Sequence, residues 1–256
     1  MSIDYFLLFK FGQICYYIFM KKILLSLSLS FVVAGTVLAA GNFSDGLVGF
    51  WRFNGSDRPG AIVRDRSGNK NHGTIMGDPN HMKGIRNRAF IFDGIDDYVD
   101  LGTVVGDFEL TDKFTISAWI KPDVMNGVNR GIVSRMPADT IKGWHVRVTE
   151  WNTLRFVVRS GNYDVAWTDT HPISAGQWYQ VVAVWDGAKP MIYVNGVLDS
   201  AYDIAGGLST IGTAGHAYIG YDETNNRYFD GAIDEVRIYN RALSAQEVSN
   251  LFNAEN

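Results

Sequence analysis

Cysteine is almost missing from this sequence. Its 256 residues include one, Cys15, which excludes an intramolecular disulfide framework and a Cys-ligated zinc site. There is no run of basic residues either. Lys and Arg number 23 against 27 Asp and Glu, for a formal net charge of -4. Such a chain is a poor match for nucleic acid or an anionic membrane surface. No internal repeat, low-complexity linker or second domain is visible, and no Gly-x-Ser-x-Gly nucleophile motif occurs. What is present is ordinary globular material, 46% hydrophobic and 20% charged, dense in aromatics with 15 Phe, 12 Tyr and 7 Trp, and rich in glycine with 27.

Residues 1–39 read as a targeting segment. Lys21 and Lys22 precede the apolar stretch Ile23–Val33, and small residues follow around Val37–Ala40. This is the order of a secretory signal, with Val37 and Ala39 at the minus-three and minus-one positions before cleavage. The apolar stretch is short for a spanning helix. Met20 followed by two lysines looks like a natural start, so residues 1–19 read as a misassigned start or an extended leader. The segment carries Lys10, Lys21 and Lys22 against Asp4, a net of +2 out of -4, which leaves -6 on residues 40–256. The expectation is a secreted protein, extracellular or periplasmic, with residues 40–256 as one domain.

That domain reads as strand after strand. β-rich runs occur at 47–53, 90–92, 98–101, 114–120, 131–134, 144–148, 154–159, 178–185, 191–194, 218–220 and 233–239. In the clearest, Phe114, Ile116, Ala118 and Ile120 alternate onto one face. Asp186-Gly187 and Asn195-Gly196 suit the positive φ of tight hairpins, and Pro122 stops the strand before it. Short strands at this spacing predict an all-β fold, a sandwich or barrel. One helix is predicted, from Ser244 to about Phe252, because Ser244-Ala245-Gln246-Glu247 has the form of a capping box.

Five segments carry a family resemblance. They are Gly46–Phe53 (GLVGFWRF), Asp65–Gly73 (DRSGNKNHG), Phe92–Val99 (FDGIDDYV), Trp178–Gly187 (WYQVVAVWDG) leading into Ile192–Gly196 (IYVNG), and Gly231–Ser244 (GAIDEVRIYNRALS). In this order the chain resembles the laminin-G-like jelly-roll family of the concanavalin A-like lectin/glucanase superfamily. The resemblance implies a two-sheet antiparallel jelly-roll sandwich with a short C-terminal helix. It implies fold far more than activity, since the scaffold hosts enzymes, lectins and adhesive modules. It also implies that the first and last strands pair, bringing Asn54 and the 65–73 loop near Asp234. A structural calcium ion on Asn54, Asn69, Asn71 and Asp234 is expected there, although the position of Asn54 is usually an Asp in similar domains. The alternative is that these side chains cap turns. For Asp93, Asp96 and Asp97, turn capping is the expected job.

Catalysis finds little support. Glycosidases need two carboxyls flanking the scissile bond, and the Glu-x-Asp-x-x-Glu pattern of glucanases on this scaffold does not occur. Asp234 and Glu235 are adjacent, so a regular strand sends them to opposite faces. The reading is therefore a non-catalytic binding module for a glycan or cell-surface glycoconjugate. A polysaccharide lyase or glycoside hydrolase, or an adhesive protein-binding module, is the alternative. The expected binding face lies on the hairpin 144–159. There Trp144, Val146, Val148, Leu154, Phe156 and Val158 turn to the core, leaving His145, Arg147, Arg155 and Arg159 outside, with Trp151 and Trp167 at the rim. Guanidinium forks match carboxylate and sulfate groups, which predicts a preference for acidic glycans. The duller outcome is that these arginines pair with acids such as Glu150 and Asp164.

Overall fold

The computed structural model describes residues 42–55, 60–108, 113–137, 142–161, 164–170, 172–202 and 215–256. The expected signal segment and Cys15 lie outside them. Residues Gly41–Asn256 form one compact unit.

The described residues form eighteen strands: β1 (Leu47–Trp51), β2 (Ile62–Val63), β3 (Gly73–Met76), β4 (Asn80–Lys83), β5 (Arg88–Asp93), β6 (Tyr98–Asp100), β7 (Phe114–Pro122), β8 (Arg130–Arg135), β9 (Gly143–Val148), β10 (Leu154–Ser160), β11 (Asp164–Asp169), β12 (Tyr179–Trp185), β13 (Pro190–Val194), β14 (Val197–Ala201), β15 (Tyr218–Ile219), β16 (Tyr221–Asp222), β17 (Arg227–Tyr228) and β18 (Asp230–Tyr239). A helix, α1 (Ala245–Glu255), closes the chain. One sheet runs β14-β13-β12-β7-β18-β5-β4, with β1 also paired to β18; the other runs β11-β10-β9-β8-β15-β6-β3-β2. Their ladders are antiparallel. The inner faces meet in a core that includes Trp51, Phe92, Phe114, Ile116, Trp144, Phe156, Trp185 and Val236. This is the expected two-sheet jelly-roll sandwich, with β1 against β18 as the family resemblance implied.

The two outer faces differ. On the first sheet, Val182, Val184, Tyr193 and Tyr239 pack with Leu243, Val248 and Leu251 of the C-terminal segment. That is why β12 is apolar on both sides: Val181, Ala183 and Trp185 serve the inter-sheet core, and Val182 and Val184 meet the helix. The capping box is made as predicted. The Ser244 hydroxyl accepts from the Glu247 amide, and the Glu247 carboxylate accepts from the Ser244 amide at 2.8 Å.

β18 departs from regular alternation. Its register with β7 slips between Asp234 and Arg237, and Glu235 takes a φ of 50°. The extra residue is a β-bulge. Ile233 and Val236 both face the core across it, so Asp234 and Glu235 are both turned away, not split between faces. Asp234 meets the 84–87 turn, while Glu235 meets Arg237, which also pairs with Glu255 at the end of α1.

Candidate binding face

On the second sheet the hairpin of β9 and β10 has the predicted facing. Trp144, Val146, Val148, Leu154, Phe156 and Val158 join the core. Arg147 sits opposite Arg155 in register, and His145 opposite Val157. His145, Arg147, Arg155 and Arg159 therefore share the outer side of the sheet. Slipping β9 by one residue would bury Arg147, and slipping β10 would bury Arg155 and Arg159, in an apolar core.

Exposure on that side is uneven, and here the expectation needs correcting. His145 is 4% exposed. The short hairpin of β16 and β17 lies over β8, with the Ser134 hydroxyl donating to the Tyr221 carbonyl at 2.8 Å. Its Asp222 is fully buried and acts as a hub. One carboxylate oxygen lies 3.5 Å from His145 Nδ1, 3.7 Å from Arg147 Nη1 and 3.4 Å from Arg227 Nη1. The other accepts from the Thr224 amide and hydroxyl in the turn that joins the two strands. Burial holds His145 below its ordinary value; the Asp222 charge opposes this, and the charges of Arg227, Arg159 and Arg155 add to it. His145 and Arg147 are thus tied to Asp222 beneath the hairpin and are not open surface.

The outer part of the face is open. Trp151, at the tip joining β9 to β10, is 62% exposed. The Arg155 guanidinium lies 5.5 Å from its ring centroid and pairs with Asp169 through two hydrogen bonds of 2.7 and 3.0 Å. That fork lifts the already high pKa of Arg155. Glu150 contributes only at longer range. Arg159 has no carboxylate partner among the described residues. Trp167, on β11, pairs in register with Val157 of β10; its side chain, like that of Asp164, lies outside the described residues. Sequence reasoning missed Asp222 and Asp169. Asp222 sits in a two-residue strand with no alternation to read, and Asp169 in a strand that was not predicted.

The expected calcium ligands divide into two pairs, Asn69 with Asn71 beside β1 and Asn54 with Asp234 beside the 84–88 turn. Asn69 and Asn71 donate their amide nitrogens to the carbonyls of Leu47 and Val48. Between them Asp65 accepts from the amides of Phe50, Ser67 and Asn71. Asn54 Oδ1 accepts from the Arg88 amide. Asp234 accepts from the amides of Ile85, Arg86 and Glu235. Burial and the adjacent Glu235 charge push Asp234 up to about 8, against the pull of those amides. A hard cation needs six to eight oxygens; Asn54 Oδ1 and both Asp234 oxygens already accept from N–H donors, so an ion there would compete with those amides. Asp93, Asp96 and Asp97 bring carboxylate oxygens within 4.8 Å of one another. There Asp93 accepts from the amides of residues 95–97, and Asp97 from those of Asp78 and Asp93. For Asp93 and Asp97 this is the turn capping expected of them, while Asp96 takes part through its amide.

Comparison with known proteins bears on the whole fold. A family model described as the concanavalin A-like lectin/glucanases superfamily matches residues 93–249, more than half of the chain. The binding domain of Paraclostridial Mosquitocidal Protein 1 superposes with a TM-score of 0.69 at 19% identity, covering 82% of this chain and 52% of that one. Domain 4 of AbnA, a GH43 extracellular arabinanase from Geobacillus stearothermophilus, in complex with arabinotriose, gives 0.64 at 22%, covering 80% and 97%. The binding domain of botulinum neurotoxin DC in complex with SialylT gives 0.63 at 16%, covering 83% and 52%. The chain thus spans about half of the toxin domains and nearly all of the arabinanase domain. At these identities the likeness establishes the fold. No curated protein sequence matches the chain. Among the described residues, no helix is long and apolar enough to cross a membrane.

Proposed function

The chain belongs to the concanavalin A-like lectin/glucanases superfamily, and from that premise we propose that it is an exported, non-catalytic binding module for a glycan or surface glycoconjugate. The observation that carries this reading is Trp151, a large ring left 62% exposed and held under the Arg155 guanidinium. Aromatic rings stack on the apolar faces of sugars, and fixed polar groups beside them orient hydroxyls and acids. A cation over an exposed ring contributes only about 0.5–1 kcal/mol, so core stability gives little reason to keep it there.

The open part of the face favours acidic glycans. Asp169 neutralises Arg155, Asp222 is shared by Arg147 and Arg227, and Arg159 is uncompensated among the described residues. Three guanidiniums thus gather on one side of β9 and β10 in a domain whose net charge is negative. A solved relative in complex with arabinotriose and another in complex with SialylT support a sugar ligand on this fold. A glycan array probed with and without chelator tests the reading. Binding to sulfated or uronate-bearing glycans that persists in chelator is expected. Binding confined to neutral glucans, or none to any glycan while a protein partner binds, overturns it.

A further inference from the structure

We propose that the cavity between the 94–97 turn, the 127–130 loop and the β16–β17 hairpin is a subsite for an acidic sugar residue, its carboxylate or sulfate held by Arg227. The site rests on the reading of the chain as a binding module for acidic glycans, but on residues other than Trp151, Arg155 and Arg159. The cavity measures about 310 Å³ and is lined by Gly94, the 127–130 stretch and Asn226–Tyr228. That is at the lower end of the roughly 300–1,000 Å³ of ligand pockets, a size for one sugar residue.

The lining carries two guanidiniums and no carboxylate. Asp230 and the carboxylates of the 93–97 turn are near, but they do not line it. Arg227 is the more open of the two cations, with 19% of its side chain exposed against 9% for Arg130. Its partner Asp222 lies 3.4 Å away, and the same carboxylate oxygen also serves His145 and Arg147. A well-formed charge-assisted N–H···O bond is shorter, about 2.7–2.9 Å. Arg130 is held no more tightly, by Asp230 at 3.2 Å, Asn126 Oδ1 at 3.3 Å and the Tyr228 carbonyl at 3.4 Å. Arg155 shows the contrast, with bonds of 2.7 and 3.0 Å to Asp169. Burial also holds Arg227 below its ordinary value, and an anion entering the cavity would oppose that shift.

The other walls suit a sugar. Tyr228 is half-buried and stacks on Tyr221 at 4.6 Å between ring centroids. Asn226 accepts from the Tyr221 hydroxyl at 2.8 Å through Oδ1, which leaves the amide nitrogen of this exposed side chain to donate. The cavity also adjoins the exposed tryptophan. A Cβ on Gly127, in the lining, would stand 3.9 Å from the Glu150 carbonyl, and Trp151 is the next residue. One acidic glycan can therefore stack a residue on Trp151 and present a neighbouring acid to Arg227, with Arg130 adding positive charge behind it.

The test is a ¹⁵N NMR titration of the protein with methyl galacturonoside and galactose 6-sulfate as acidic probes and methyl galactoside as the neutral one. At least one acidic probe should give saturable shifts at residues 94, 127–130 and 226–228, and which one does so tells carboxylate from sulfate. The galactoside should bind at least tenfold more weakly. Val128→Trp fills the cavity from an exposed position, 51% accessible, so the fold is kept. Arg227→Gln removes the cation. Each should weaken binding of the acidic probe at least tenfold. The proposal fails if neither acidic probe shifts these residues, if the galactoside binds as well, or if Val128→Trp keeps the parent's affinity. Polygalacturonate in the same titration separates this site from the broader reading. Shifts at Trp151 and Arg155 without shifts in the cavity would sink the subsite and leave the binding face standing. No binding of the polymer, while an acidic monosaccharide fills the cavity, would sink the Trp151 face instead.

Discussion

The two outer faces of this sandwich are built from the same parts and put to different uses. On the first sheet, Arg237 lies between Glu235 and Glu255, 3.7 Å from the Phe50 ring centroid, and Glu255 also accepts from Trp119 at 2.6 Å and Gln180 at 2.9 Å. Helix α1 delivers Glu255, which is 6% exposed, to the network. On the second sheet, arginines again gather around a buried carboxylate, Asp222, but the covering element is a two-residue hairpin, too small to reach Trp151, Arg155 and Arg159. The same guanidinium–carboxylate chemistry lies under a helix on one face and next to an exposed tryptophan on the other.

Breaking each hub should expose the contrast. Glu255→Ala leaves Arg237 with one partner and strands two buried donors, so a loss of about 3–5 kcal/mol is expected in urea unfolding. Asp222→Ala unpairs Arg227, whose side chain is 19% exposed against 10% for Arg237, and Arg147, at 11%. A smaller loss of about 1–3 kcal/mol follows. Ser244→Ala removes one cap from the helix that carries Glu255 and should cost about 1 kcal/mol. If Asp222→Ala proves as damaging as Glu255→Ala, the hairpin seals its face as tightly as the helix does and the contrast collapses.

The pH responses of the two faces should have opposite signs. His145 is held below its ordinary 6.5. As pH falls through 6.5 the unfolded chain takes up a proton that the native chain refuses, so this residue's contribution destabilises the fold on acidification. Asp234, raised from 3.8 to about 8, keeps its proton in the native state between those values and releases it when unfolded. Its contribution therefore declines as pH rises across that window. His145→Asn should flatten the stability curve below pH 6.5, and Asp234→Asn above pH 4. Matching curves for parent and His145→Asn would mean that the ring is solvated. Calcium should have the smallest effect: equal melting temperatures in calcium and in chelator are expected, because the oxygens of Asn54, Asp65 and Asp234 are taken by amides.

Much of the fold was legible because it rests on period and punctuation. The alternation of 114–120, 144–148 and 154–159 fixed which side chains face inward, and the capping box placed the helix to within a few residues. β2, β3, β4, β11, β14 and the β16–β17 hairpin were missed. Several are two to four residues long, and Val197–Ala201 lies largely exposed with little alternation. The site was legible only in part for the same reason. Arg147 and Arg155 could be placed on one face from their own strands. That Asp222 neutralises one and Asp169 the other depends on strands far along the chain. The bulge at Glu235 also escaped, since no residue type there advertises a positive φ.

The most direct test of the account is the affinity of the folded domain for an acidic polysaccharide such as polygalacturonate, measured by titration calorimetry for the parent and for the variant with Trp151→Ala, Arg155→Ala and Arg159→Ala. The account predicts saturable binding by the parent, its loss by at least tenfold in the variant, and a melting temperature changed only slightly, since Trp151 lies on the surface and none of the three side chains packs in the core. Equal affinity in parent and variant, or a parent that binds neutral glucan and ignores the acidic polymer, would contradict it.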